Sequence, residues 1–313
     1  MVTRRNLLAA GPAAALLTPL MGATPAQAQA EARGPFRFGL ITDPQYAPVV
    51  PNAAGVRFYA NSLWKLDAAI ADLNTHDDLE FVVTLGDIID RHWESFSHIL
   101  PVYDKSKHKN HFVLGNHDFD FVPEWLPSVV RTVGMPAPYY HFAVKGVRFI
   151  VLDGNDVSTF APPVGDPRRE VAAQRLAALR EAGAPNAQSW NGSLSDEQMV
   201  WLEACLDAAE AADERVIILC HYPVFPANNH NLWNDQEIVA LLARYGNVMA
   251  YFNGHNHEGN YGENAGQHFV NFKGMVDTPD TTAYAIISVL DDRIEIEGFG
   301  REESRTLMFS AAL

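Results

Sequence analysis

Cysteine is nearly absent from this chain: Cys205 and Cys220 are the only two in 313 residues. That excludes a disulfide framework and a thiolate-rich metal site. Cys205 falls in a helical pattern and Cys220 ends a strand-like run, so two buried thiols are expected rather than a disulfide. Basic residues are also scarce, 23 Lys and Arg against 38 Asp and Glu, for a formal net charge of −15. Such a surface repels polyanions, so neither nucleic acid nor an anionic membrane is expected as a partner. Beyond the first thirty residues there is no internal repeat, charge block or low-complexity tract. The full chain is 48% apolar and 19% charged, a composition that can bury a large core.

Residues 1–30 read as an export signal rather than part of the fold. Arg4 and Arg5 precede a modest apolar stretch broken by Gly11 and Pro12, and small residues of A-x-A type follow at Ala26-Gln27-Ala28 and Ala28-Gln29-Ala30. The twin arginines suggest the Tat route, and with it a periplasmic or extracellular protein whose precursor meets the Tat machinery. The apolar part is too short for a membrane span and no cysteine stands near the cleavage region, so no stable membrane anchor is expected. Cleavage would remove both arginines and no acid, taking the charge from −15 to −17.

Residues 31–313 read as a single domain in which short β-branched and aromatic runs alternate with helical patterns. Strands are expected over 36–42, 80–86, 111–116, 215–220, 247–254, 267–274, 283–290 and 293–300, and a hairpin over 139–153 turning at Lys145-Gly146. Helices are expected over 56–74, 195–212 and 234–246, the second opened by a capping box of Ser195 and Gln198. Residues 154–194, with Pro162, Pro163, Pro167 and Pro185, read as a long insertion, part helical near 168–183. Strand–helix alternation followed by a run of strands makes the class α/β.

The chemistry stands where these strands end. "FGLIT" runs into Asp43 with Gln45 two residues on, "VVTLG" into Asp87, and "FVLG" into Asn116 and His117; "VIILC" runs into His221, and "MAYFNG" into His255 and His257. One Asp or His after a strand is ordinarily a loop residue or a cap. Five strand ends of the same polarity, all carrying ligand types, point to one crevice at the carboxyl edge of a sheet. Asp43, Gln45, Asp87 and Asn116 offer oxygen, and His221, His255 and His257 offer imidazole nitrogen. That mixture suits Mn²⁺ or Fe, with Zn²⁺ possible, better than a soft metal. Seven ligands exceed the need of one ion and suit two divalent ions about 3.5–4 Å apart, an arrangement used to cleave phosphate esters.

The ordered motifs "DPQ", "GDIID", "GNHD", "CHYP" and "GHNH", from residue 43 to 257, resemble those of the calcineurin-like metallophosphoesterase superfamily. The resemblance implies a four-layer αββα sandwich, two mixed sheets flanked by helices, around a dinuclear metal centre. Most of that superfamily has D-x-H where this chain has Asp43-Pro44-Gln45. Glutamine there, with "YANSLWKL", "NGSLSDEQMVWL", "FNGHNHEGNYG" and "HFVNFKGMVDTP", resembles the manganese-dependent ADP-ribose/CDP-alcohol diphosphatases over nearly the whole mature chain. On that resemblance Asp43, Gln45, Asp87 and His257 would hold one metal. Asp87, Asn116, His221 and His255 would hold the other, and His117 would be the catalytic imidazole. Asp118 would orient His117, or else be a solvated turn carboxylate. The implied activity is hydrolysis of a phosphoanhydride or phosphoester bond in a small-molecule phosphate, ADP-ribose or a CDP-alcohol first. A broad phosphomonoesterase or phosphodiesterase is the alternative, and a catalytically silent metal-binding protein is an alternative of another class.

"GDIIDR" also resembles the phosphoprotein phosphatases, in which the arginine grips phosphate; those enzymes have D-x-H at the first motif, so a supporting or surface role is expected for Asp90 and Arg91. Tyr46, Trp93, Phe96, Trp190, Phe225 and Trp233 are candidates to stack on a base, although packing is the expectation for any single one. His230, like His111 and His268, has no spaced partner and is expected to be structural or exposed.

Overall fold

The computed structural model describes residues 33–309; the export signal read over 1–30 lies outside the described residues. In chain order the strands are β1 (Phe36–Ile41), β2 (Leu79–Leu85), β3 (Lys109–Val113), β4 (Tyr140–Val144), β5 (Val147–Val151) and β6 (Arg215–Leu219), then β7 (Val248–Asn253), β8 (Asn260–Asn264), β9 (Gln267–Asn271), β10 (Ala283–Val289), β11 (Arg293–Gly300) and β12 (Arg305–Met308). The helices are α1 (Ser62–Leu73), α2 (Glu94–Tyr103), α3 (Val129–Thr132), α4 (Pro167–Glu181), α5 (Asp196–Ala211) and α6 (Asp235–Leu242).

The strands form two six-stranded mixed sheets, in the orders β12-β11-β10-β1-β2-β3 and β4-β5-β6-β7-β9-β8. β1, β2 and β3 run parallel in the first, and β5, β6, β7 and β9 in the second, so the carboxyl ends of both parallel groups deliver the loops that matter. Successive residues point to opposite faces of a strand, and both faces here are apolar. On β2, Phe81, Val83 and Leu85 pack between the sheets against Phe149, Ile217 and Phe252, while Val82 packs outward under helices. Leu66, Ile70 and Leu73 of α1 and Ile99 of α2 cover the first sheet; Leu202 and Leu206 of α5 and Ile238 and Leu242 of α6 cover the second. The result is helix, sheet, sheet, helix. Both cysteines are buried and free. Among the described residues no helix is long and apolar enough to cross a membrane.

The hairpin turns where the sequence places it: Lys145 and Gly146 both have positive φ, 46° and 80°, as a two-residue turn matched to strand twist requires. The first helix is shorter than the expected 56–74. Val56 and Phe58 make backbone hydrogen bonds to Thr278 and Val276 instead, which commits those residues to a distant loop and delays α1 to Ser62. The capping box forms only by half. Ser195 Oγ accepts from the Gln198 amide at 3.1 Å, but the Gln198 side chain turns away to Asp153, accepting from its amide and donating to its carbonyl. That clamp fixes the start of the 154–194 segment. Paired backbone hydrogen bonds between Val157 and Ser193 tie its two ends together.

Candidate metal centre

Strands β1, β2 and β7 each stop against a constraint that re-aims a following side chain. Asp43, Gln45, Asp87 and His255 have positive φ, 49°, 43°, 49° and 69°, a costly backbone for non-glycine residues that persists where surrounding structure enforces it. The loops must also approach closely. A Cβ on Gly115 would lie 2.1 Å from Asp87 Oδ1, and one on Gly254 2.4 Å from Asp43 Oδ2, so only glycine fits at either position.

These turns bring together two groups of ligand atoms, Asp87, His221 and His255 in one and Asp43, Asp87 and His257 in the other, each group within 4.8 Å. Asp87 belongs to both. His221 Nε2 lies 3.4 Å from Asp87 Oδ2 and 3.1 Å from His255 Nδ1, and His257 Nε2 lies 3.4 Å from Asp43 Oδ1. Gln45 reaches the same point, its Nε2 donating to Asp87 Oδ2 at 2.8 Å. Three buried atoms here have no hydrogen-bond partner: Gln45 Oε1, Asn116 Oδ1 and His257 Nε2. Buried polar atoms are normally satisfied. An orphaned amide oxygen, a second one and an imidazole lone pair beside two carboxylates are what a cation site offers, so the residues present fit two divalent ions.

The outer nitrogens of the three imidazoles fix which nitrogen faces inward. His221 Nδ1 lies 2.8 Å from the Leu85 carbonyl, which can only accept, so Nδ1 carries the proton and Nε2 is free. His255 Nε2 lies 3.0 Å from Asn191 Oδ1; the Asn191 amide donates to the Asn186 and Asn229 carbonyls, so its oxygen faces His255 as acceptor. His257 Nδ1 is 2.9 Å from Asp277 Oδ1, and the Arg301 guanidinium stands 3.5 Å from the other Asp277 oxygen. Lys65, wholly buried, donates to the carbonyls of Met275, Val276, Asp277 and Thr278 and so holds the loop that presents Asp277.

The electrostatics favour added positive charge. Burial raises the Asp87 carboxyl, yet His221 and His117 bring it well below the usual carboxylate range. Burial pulls His221 and His257 down, yet the carboxylates of Asp87 and Asp43 lift each to about 9. Burial and the neighbouring His221 hold His255 well below the usual imidazole value.

His117 stands beside this cluster. Its amide donates to Asp87 Oδ1 at 2.9 Å, and its ring Nδ1 lies 3.3 Å from both the carbonyl and the carboxylate of Asp90. Asp90 in turn pairs with the Nε of Arg91, whose guanidinium also covers the Tyr59 ring. Asp118 corrects both sequence expectations. It neither orients His117 nor meets solvent: fully buried, it accepts from the amides of Ile88, Ile89 and Gly115 and so knits two ligand loops together, and burial with the nearby Asp87 pushes it up to about 8. Three amides from two loops outcompete the ring of its neighbour in sequence.

A cavity of about 350 Å³ opens over the cluster, lined by Gln45, Asp87, Asn116, His117 and His255 and by Arg57, Trp190 and His230. Of the aromatic candidates only Trp190 lines it. Tyr46 is buried and bonded to His98, Trp93 and Phe96 pack with Phe121, Phe225 packs on Phe269, and Trp233 joins Val157 in a small core. His230, expected to be structural or exposed, instead lines this cavity, its ring centre 5.3 Å from that of His255. Sequence reasoning missed Arg57 altogether, and held Asn191 and Asp277 only within the "NGSLSDEQMVWL" and "HFVNFKGMVDTP" stretches, with no role given to either. A signal existed for Asp277 in the "MVDTP" stretch and for Asn191 at the start of "NGSLSDEQMVWL", and none for Arg57.

A family model described as calcineurin-like phosphoesterase matches residues 36–259. The manganese-dependent ADP-ribose/CDP-alcohol diphosphatase of Homo sapiens is 30% identical over 320 residues, covering 88% of this chain and 93% of that protein. Its counterpart from Arabidopsis thaliana is 28% identical over 297 residues, covering 86% and 96%. Among solved structures, a dimetal phosphatase from Danio rerio matches with a TM-score of 0.79 and 27% identity over 88% of this chain and 99% of its own. The anchor protein of the Plasmodium inner membrane complex shares the fold alone, at a TM-score of 0.56 and 12% identity.

Proposed function

Since the chain belongs to the calcineurin-like phosphoesterase family and is a metal-dependent phosphohydrolase, we propose that it cleaves the phosphoanhydride of nucleoside diphosphate-linked small molecules, ADP-ribose and CDP-alcohols foremost. The observation that carries this reading is Gln45: its buried, orphaned carbonyl oxygen sits in the cluster beside Asp87, at the floor of a cavity roomier than a lone phosphate needs. The relatives that this chain matches along most of its length are named for those substrates and for manganese.

Asp43, Gln45, Asp87 and His257 would hold one cation, and Asp87, Asn116, His221 and His255 the other. Bound there, two divalent cations would offset charge on the phosphoryl oxygens and lower the pKa of a coordinated water from 15.7 toward about 7. The chain's own residues do the rest. The Asp90 carbonyl fixes His117 Nδ1 as a donor, so protonation of Nε2 yields an imidazolium able to give its proton to the leaving phosphate oxygen. Trp190, 43% exposed and without a ring partner among the described residues, offers a face on which a base can stack.

A second reading, a broad phosphomonoesterase or phosphodiesterase that scavenges phosphate outside the cytoplasm, is favoured by the twin-arginine leader of residues 1–30. The precursor would then engage the Tat machinery and the mature chain would work in the periplasm or beyond the cell. Fractionating the host and sequencing the amino terminus tests this: a periplasmic chain beginning at residue 29 or 31 supports export, and a chain found only in the cytoplasm with Met1 intact overturns it. A catalytically silent metal-binding protein has no need of an imidazole placed as His117 is. With Mn²⁺ present, turnover of ADP-ribose and CDP-choline should exceed that of p-nitrophenyl phosphate and bis-p-nitrophenyl phosphate. Preference for the monoester would put the scavenger reading first, and metal binding without turnover of any substrate would put the silent one first.

A further inference from the structure

Cations are scarce in this chain, and those near the site are already engaged. Arg91 is taken by Asp90 and the Tyr59 ring, Arg301 by Asp277 and the Gly274 carbonyl, and Lys65 by four carbonyls. Arg57 differs. It lines the cavity, half-buried, yet among the described residues its guanidinium makes no hydrogen bond and no ion pair. Its backbone is the opposite of free. The Arg57 amide donates to Asn52 Oδ1 at 3.1 Å, its carbonyl accepts from the Asn52 amide at 3.2 Å, and it bridges to Asp277 in the loop held by Lys65. A rigid mount therefore carries an unspent planar cation into the wall of the site, next to His230 rather than among the metal-binding atoms.

A diphosphate has two phosphoryl groups. The residues grouped around Asp87 serve the one that reacts. The second would enter a partly desolvated cavity with its charge unmet, which is costly unless a donor receives it. A guanidinium fork is suited to two oxygens of one phosphoryl group. Resting on the reading above, we propose that Arg57 is the specificity-determining residue of this site: it receives the second, non-reacting phosphoryl group and so separates diphosphate-linked substrates from simple phosphodiesters.

The test compares the manganese-loaded wild type with Arg57→Ala and Arg57→Lys on ADP-ribose and on bis-p-nitrophenyl phosphate. The expected result is a fall of at least about tenfold in the ratio of kcat/KM for ADP-ribose to that for the diester in the alanine variant, and a smaller fall in the lysine variant, which keeps the charge but not the fork. Direct titration should agree, with α,β-methylene-ADP losing more affinity than AMP. A ratio unchanged within twofold overturns the proposal. So does an equal loss on both substrates with a lowered melting temperature, because Arg57 would then be only a strut for the Asp277 loop. Failure of the underlying functional reading looks different: the wild type itself would turn over the diester and neither ADP-ribose nor CDP-choline, and the inference about Arg57 would fall with it.

Discussion

At the mouth of the sandwich, His221, His255 and His257 each tie down an outer nitrogen and turn the other toward carboxylates or toward one another. At the lateral edge, where β3 approaches β4, His111 ties down neither among the described residues; its ring stacks on Phe142 at 3.8 Å between centroids, nearly parallel. His268 is a third case, with both nitrogens used, one at the Tyr261 hydroxyl and one at the Met308 carbonyl. All five rings are buried, so burial does not separate them. What marks a candidate ligand is one nitrogen engaged outside the cluster and the other turned into it. The two halves of the mouth differ as well. His257 is backed by a carboxylate, whereas His221 and His255 are backed by neutral carbonyl oxygens. Carboxylate backing makes an imidazole a stronger donor, which would offset the weak neutral carbonyl of Gln45 if Gln45 serves the same half, as proposed.

The largest effect is expected where the halves join. Asp87→Asn removes the shared carboxylate, and turnover should fall by more than about 10³-fold together with loss of bound metal. If metal content measured by elemental analysis stays at the wild-type level, Asp87 does not connect the halves. His117→Ala should separate chemistry from binding: a loss of about 10²–10⁴-fold in kcat with metal content unchanged. Loss of metal in that variant would move His117 from proton donor to ligand.

The asymmetry of the halves is sharpened by touching only their supports. Asp277→Asn should weaken one ion about 10–100-fold and Asn191→Ala the other by less, because the first loses a charged partner and the second a neutral one. Equilibrium dialysis with Mn²⁺ reads both constants; equal losses in the two variants would show that the nature of the support does not matter. Gln45→His is expected to tighten the Asp277-backed half and change its metal preference, so an unchanged competition between Mn²⁺ and Zn²⁺ would remove Gln45 from the ligand set.

The sequence shows the candidate ligands but not their supports, for a physical reason. Asp43, Asp87, Asn116, His221, His255 and His257 each follow a run of strand-forming residues, so local pattern and polarity locate them. Their supports come from wherever the fold happens to pass. Asn191 arrives from the 154–194 segment, 64 residues from His255 in sequence, and Leu85 serves His221 through a backbone oxygen that any residue would supply. Asp118 and Asp90 illustrate the same limit. Adjacent in sequence to His117, Asp118 is drawn to three amides, while Asp90, 27 residues earlier, takes the ring. Arg91 is visible through a motif and proves to be occupied, whereas Arg57, which no motif marks, makes no side-chain hydrogen bond or ion pair among the described residues. The half-formed capping box teaches the same lesson, since Gln198 forgoes its local partner for the backbone of Asp153.

The smallest expected effect tests the edge against the mouth. Burial, aided by the charge of Lys109, lowers the His111 pKa from 6.5 to about 4. The folded state therefore refuses a proton that the unfolded chain accepts, and stability should be constant above about pH 6.5 and decline as pH falls toward 4, by about 1–3 kcal/mol. His111→Phe keeps the stack on Phe142 and removes the titration. Urea midpoints at pH 7.5 and 5.0, taken for both proteins in chelator so that the mouth contributes equally to each, should converge or favour the variant at the lower pH. If wild type and variant lose the same stability on acidification, His111 is as accessible to protons when folded as when unfolded, and the contrast between an imidazole buried for packing and one buried for a cation fails at its simplest member.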